Sequence, residues 1–237
     1  MINDVRNTVL AILNKDNRGY LTPEQFNLYA DNAQKEIFEQ YFHDYSRAIN
    51  KRNKHLHTSG YGDIPKRLAE VIDRFTFPSS LTYNGTTLKY TLPTDAYSFG
   101  TVSYVGGANN VEIEPVEHNK ILYLDMSLDT APTELYPVYT RYDGEIQVYP
   151  NTIATTGDVL MTYVRYPATP KWTYSGFANG EPLFNQSATD YQDFEVPEDD
   201  KINLVEKILQ YAGVALREVE VVKAAKADEI QEKQEQQ

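Results

Sequence analysis

The stretch Asn14 to Gln25 has an aspartate at its third place and a glycine at its sixth, the outline of an oxygen-ligand loop for Ca2+. Asn14 opens it, however, Arg18 fills a ligand position and Gln25 stands where a bidentate glutamate is needed, so a divalent ion would lose most of its carboxylates. His55, His57 and Asp63 offer metal-ligand atoms, but in a polar Gly/Ser loop without a third convergent side chain they read as solvated. His43 and His118 fall on helices as exposed side chains. Glu198, Asp199 and Asp200 are consecutive carboxylates, which do not face one another, and acids in the first turn of a helix have a sufficient role there. Gly106-Gly107 runs on into Ala-Asn-Asn, a turn and not a phosphate cradle, and no nucleophile elbow, Walker loop or His-Glu-x-x-His occurs. The chain has no cysteine, which removes thiolate catalysis, thiolate metal sites and disulfides. No metal or cofactor is implied, and the chain is expected not to be an enzyme.

One cluster has electrostatic content. Arg47, Lys51, Arg52 and Lys54 gather at the end of the second helix and could meet phosphates on passing DNA or an acidic partner surface; as cations at a helix C-terminus they also complement its dipole. The net charge of -12 is uneven: residues 1 to 78 carry 11 Lys+Arg against 10 Asp+Glu, the remainder 11 against 24. An acidic remainder repels duplex DNA, so a dedicated nucleic-acid binder is disfavoured. Tyrosine, at 19 of 237 residues, suits either protein interfaces or aromatic-rich strands.

The elements that must position these residues change period along the chain. Val5, Val9, Ile12 and Leu13 predict a short first helix, and Thr22-Pro23-Glu24-Gln25 is an N-cap, a proline at the first helical position and a capping-box partner. Phe26, Tyr29, Ala30, Ala33, Ile37, Phe38, Tyr41 and Tyr45 keep one apolar stripe to about residue 50, and Pro65–Phe75 gives a third helix. From Pro78 the period is two: strands are expected over Thr87–Leu92, Phe99–Val105 and Val111–Ile113, with a short helix at Val116–Leu124. Asp143-Gly144 between alternating runs predicts a type I′ hairpin, and Val159–Tyr166 a further strand that Pro167 ends. Ile202, Val205, Ile208, Leu209 and Ala212 form the stripe of a last helix, while the final fifteen residues lack one and are expected to fray or lie on a partner. The expected class is α+β: an N-terminal helical bundle (1–76), a central antiparallel β-sandwich or barrel (77–172), an extended arm (173–196) and a long C-terminal helix with its tail (197–237). Neither a membrane span nor an export signal is visible, which predicts a soluble, unexported protein.

Helices first, then Pro137-Val138-Tyr139, Glu145-Ile146-Gln147-Val148-Tyr149-Pro150, Tyr163-Val164-Arg165-Tyr166-Pro167 and Pro170-Lys171-Trp172, then an Ala/Glu/Gln-rich last helix: this order resembles phage head-to-tail connector proteins. It is most like the neck ring, or tail-adaptor, proteins of podoviruses and of crAss-like bacteriophages, and Gly19-Tyr20-Leu21-Thr22-Pro23-Glu24-Gln25-Phe26-Asn27 resembles the opening of those proteins as well. The resemblance implies a virion protein, assembled in the host bacterial cytoplasm, that forms a ring, dodecameric to match the portal protein above it. Such a ring extends the DNA channel, meets other neck or tail ring proteins, and lets DNA pass without specific binding. It further implies neighbour contacts through the arm and the tyrosines, for which Tyr163, Tyr166, Trp172 and Tyr174 are the candidates. Two rival expectations are a virion carbohydrate- or host-recognition module, with Trp172 and exposed tyrosines stacking on sugars, and a virion-associated hydrolase needing a raised carboxyl in a cleft.

Overall fold

A computed structural model describes residues 1–14, 21–53, 64–107, 110–176 and 182–215. They form an α+β protein whose contacts divide it into two units, residues 1–71 with 167–237 in the first and residues 72–166 in the second. The sequence predicts four successive segments instead; the difference arises because the chain after Pro167 returns to the N-terminal helices.

In the first unit, α1 (Ile2–Asn14), α2 (Pro23–Asn53) and α5 (Lys201–Ala215) pack together. The α2 start follows from its sequence: Thr22 N–H donates to Gln25 Oε1 at 3.1 Å and Gln25 N–H to Thr22 Oγ1 at 3.2 Å, a closed capping box. Its 31 residues span about 46 Å. The apolar stripes meet as Val5, Val9 and Leu13, Phe26, Ala30, Ala33, Ile37 and Phe38, and Leu204, Ile208 and Ala212. Two expected core positions, Ile12 and Ile202, are exposed instead, and Ile2 and Leu204 take the buried places. The segment expected as an extended arm carries a two-stranded hairpin, β10 (Tyr174–Gly176) with β11 (Pro182–Phe184), and a bridge between Lys171 and Gln192. A helix α3 (Ile64–Asp73) has Leu68 and Val71 half-buried and Lys66 and Arg67 exposed.

The second unit is a sandwich. One sheet has the order β1 (Thr76–Ser80), β9 (Val159–Arg165), β4 (Ala96–Tyr104), β5 (Val111–Glu112); the other runs β2 (Thr82–Asn84), β3 (Lys89–Thr91), β8 (Glu145–Tyr149), β7 (Val138–Arg141), β6 (Glu114–Pro115). Two-residue spacing puts Val102 and Tyr104 of β4, Val159, Met161 and Tyr163 of β9, and Ile146 and Val148 of β8 in one shared core. Burial, then the neighbouring Asp158 and Tyr83, pushes the Tyr90 phenol in that core up to about 12. The chain changes sheet at the buried Ile113, whose N–H donates to Val102 O while Glu114 N–H donates to Pro137 O, and β6 therefore meets β7 in parallel. Every other pairing is antiparallel among the described residues.

The β7–β8 hairpin forms as expected, but its turn is not type I′. Gly144 alone takes a positive φ, 70°, and Tyr142 N–H donates to Glu145 O, so the glycine supplies the left-handed residue that lets the hairpin close. Pro78, expected to mark a boundary, lies inside β1, which the missing N–H permits because β1 is an edge strand. α4 (His118–Met126) follows β6. Among the described residues no helix is long and apolar enough to cross a membrane.

Candidate functional site

The expected site residues separate into inside and outside. Tyr163 is buried in the sandwich and its hydroxyl donates to the Asp95 carboxylate at 3.3 Å; burial first, then Asp95, pushes its phenol up. Tyr166 is exposed, edge-on to Tyr97 with ring centroids 5.1 Å apart. Trp172 is only 2% exposed, a correction to its expected place at a subunit interface or under a sugar. Tyr163 needs the same correction. Tyr174 is exposed along one face and stacks with the other on Trp172, 5.7 Å between centroids.

Trp172 is the anchor of the 167–196 segment. Its indole N–H donates to Asn3 Oδ1 at 3.1 Å and the Arg6 guanidinium lies 3.8 Å over its ring. Asn27 of α2 holds its backbone from both sides, accepting from Trp172 N–H at 2.8 Å and donating to Trp172 O at 3.2 Å. Seven residues on, the fully buried Gln34 does the same for two strands of chain: it donates to Ala168 O at 2.8 Å and accepts from Glu195 N–H at 3.0 Å. Two amide side chains at i and i+7 lie on one helix face, so α2 carries its own fastening for this segment. Ala168 N–H to Glu195 Oε2, 2.8 Å, and Thr173 Oγ1 to Asn185 O complete it.

Asp193 closes the segment onto α1. Its carboxylate accepts from the Met1 ammonium at 2.9 Å and from the N–H groups of Ile2 and Phe194, both at 2.8 Å. Burial opposes its ionisation, yet these donors together hold the carboxyl below the usual carboxylate range. A lowered folded value stabilises the fold above the unfolded carboxyl's titration and loses that contribution as pH falls through the folded one. Asp193→Ala is thus expected to lower stability by about 1–2 kcal/mol near neutrality. The gap from wild type should close below pH about 4; denaturant melts at several pH values would show it, and a gap that persists unchanged into acid would refute it.

The acids Glu198, Asp199 and Asp200 diverge: Asp199 pairs with Arg67 at 2.7 Å, and Asp200 accepts from the Tyr41 hydroxyl and from Asn203 Nδ2. His43 lies 3.6 Å from Asp44 and His118 stacks obliquely on Tyr142, 4.6 Å between centroids. Arg47 and Lys51 lie half-buried in the last turns of α2, which also includes Arg52. Lys54, His55, His57 and Asp63, most of the Asn14–Gln25 loop, and the tail after Ala215 lie outside the described residues.

Sequence reasoning missed a run of exposed apolar side chains among the described residues. α4 buries Ile121 alone, and Leu122, Tyr123 and Met126 stand in solvent, followed by Leu128, Leu135 and Tyr136. These six are 64% to 101% exposed, and no other stretch of the described chain gathers as many exposed large apolar side chains. Beside them Pro115, Val116, Glu117, Lys120, Tyr123 and Leu124 line a shallow groove of about 420 Å3. The signal was present: apolar residues at 121, 122, 123, 124 and 126 surround a nine-residue helix, more than one face can bury. What the arrangement can do is bind another surface, since large apolar side chains gathered in solvent mark interaction sites.

Comparison of the chain with protein-family models gives no match, and neither does comparison with curated protein sequences.

Proposed function

We propose that the chain is a structural virion protein whose copies close into a ring in the neck between portal and tail, extending the DNA channel and joining the two. The observation that carries this is the exposed apolar face at residues 122–136, which has the character of an assembly surface and lies on a packed sandwich. A ring is built from heterologous contacts that close by rotation, so each copy must present such a face to a different one on its neighbour. The charge supports the same reading: residues 79 to 237 carry 11 Lys+Arg against 24 Asp+Glu, a surface along which DNA slides without adhering. The resemblance to neck ring proteins names the partners as the portal protein and other neck or tail rings, with twelve copies to match the portal.

The test is the mass of the purified protein, alone and mixed with the portal of the same genome, by mass photometry. Recruitment of one subunit per portal subunit is the expected result. A protein that neither multimerises nor joins the portal would end this reading.

A further inference from the structure

The β2–β3 turn holds a side-chain amide next to a backbone nitrogen that can attack it. Asn84 ends β2 and Gly85 follows, and residues 84 to 88 are all exposed. Thr86 N–H donates to Asn84 Oδ1 at 3.0 Å, an Asx turn that folds the carboxamide back along the Gly85 peptide and draws electron density from its carbon. Among the described residues the Gly85 N–H meets no acceptor, so no hydrogen bond has to break before that nitrogen reacts. A Cβ on residue 85 would meet nothing within 4 Å, so the approach to the nitrogen is open. The same turn occurs a second time with a different neighbour. Ser187 N–H donates to Asn185 Oδ1 at 3.0 Å, but Gln186 puts a side chain beside the nitrogen, and the half-buried Asn185 is tied to Thr173 through both its N–H and its carbonyl.

We propose that Asn84 is a self-modifying site, which converts in the folded protein to aspartate and isoaspartate with water as the only reagent consumed. Hydroxide takes the Gly85 amide proton and the nitrogen attacks Asn84 Cγ; the new Cγ–N bond forms as the Cγ–Nδ2 bond breaks, and ammonia leaves with a proton from water. Water then opens the five-membered imide at either carbonyl, giving an aspartyl or an isoaspartyl chain, and no electrons are transferred. Glycine permits the attack because it has no Cβ to crowd the nitrogen. The product changes the hairpin. Asn84 lies opposite Lys89, which pairs with Glu145 at 3.3 Å, so a new carboxylate competes for that cation. In the isoaspartyl form the carbonyl that accepts Leu88 N–H at 2.8 Å leaves the main chain. With it goes the closure that holds Leu88 at a φ of 56°, a costly conformation for a leucine.

Incubation of the full folded chain at mildly alkaline pH, followed by peptide mapping with mass spectrometry, tests it. The expected result is a product at Asn84 heavier by the difference between an acid and an amide, resolved into two isomers and formed about tenfold or more faster than at Asn185. Its rate should rise with pH, because the deprotonated amide is the attacking species. Gly85→Ala fits the turn without a clash and should slow the conversion by a similar factor while leaving the melting temperature unchanged. The chain's other Asn-Gly, Asn179-Gly180, lies outside the described residues and is read separately from its own fragment ions. An Asn84 that stays an amide for as long as Asn185 does overturns the proposal. Conversion confined to the urea-unfolded chain overturns it too, since the hairpin would then protect the site. Undiminished conversion in Gly85→Ala would trace the product to direct hydrolysis of the amide and overturn the imide route.

Discussion

Trp172→Ala is expected to cost the helical unit about 4 kcal/mol, within the ~3–5 kcal/mol range of buried Trp or Phe truncations. The indole is buried, and its removal opens a cavity between Arg6, which loses its ring, and the stacked Tyr174 and Phe184, whose centroids lie 5.7 and 5.8 Å away. It also leaves Asn3 Oδ1 without the indole N–H. Trp172→Phe keeps a ring and loses the donor, so a smaller loss of about 1–2 kcal/mol is expected. Guanidinium melts give the totals. Hydrogen exchange gives the location: amides of α1, of the first half of α2 and of the 182–196 segment should lose protection, while β4, β8 and β9 keep theirs. A loss below about 1 kcal/mol for Trp172→Ala, or one that spreads evenly through the sandwich, would contradict the anchoring role.

How far the sequence can be read depends on the distance between the groups that interact. The capping box at Thr22 and Gln25 is three residues wide, and it is legible because both partners stand in one motif. The end of β9 before Pro167 and the β7–β8 hairpin are legible for the same reason. The turn inside that hairpin is not, since Asp-Gly is compatible with more than one loop and only the flanking register decides. Trp172 reads as a surface residue because nothing near it in sequence says that Asn3, Arg6 and Asn27 will surround it. Asn27 and Gln34 stand on the same helical face as Phe26, Ala30 and Ile37, and polar residues inside an apolar stripe are the available hint that a backbone packs there. The α4 face is hidden by the opposite error: an apolar helix reads as one that buries itself, and here a single side chain, Ile121, does so.

Two glycines in the sandwich should respond very differently to the same added methyl group. Gly100 lies in β4 where Phe99 faces Tyr163 and Val102 faces Met161, so Gly100 and Thr101 together oppose the single Thr162, a bulge. A Cβ on Gly100 would stand 2.7 Å from the Thr162 carbonyl oxygen. That oxygen belongs to β9, which is paired on its other side with β1 through Pro78 and Thr162, so it cannot retreat without parting a second pair of strands. Gly100→Ala is therefore expected to destabilise the sandwich by about 3 kcal/mol, at the upper end of overpacking costs. At Gly106 the added Cβ would stand 2.5 Å from Asp158 Cγ, but that is the end of a half-buried side chain that can turn aside. The Asp158 backbone, held by Val105 N–H donating to its carbonyl at 2.8 Å, need not move. Gly106→Ala should cost less than about 1 kcal/mol. Thermal melts of the two variants decide it, and equal losses would mean that the bulge yields as easily as a rotamer. Because α4 rests on β7 of this same sandwich, the proposed self-association should also weaken in Gly100→Ala at temperatures where Gly106→Ala leaves it intact.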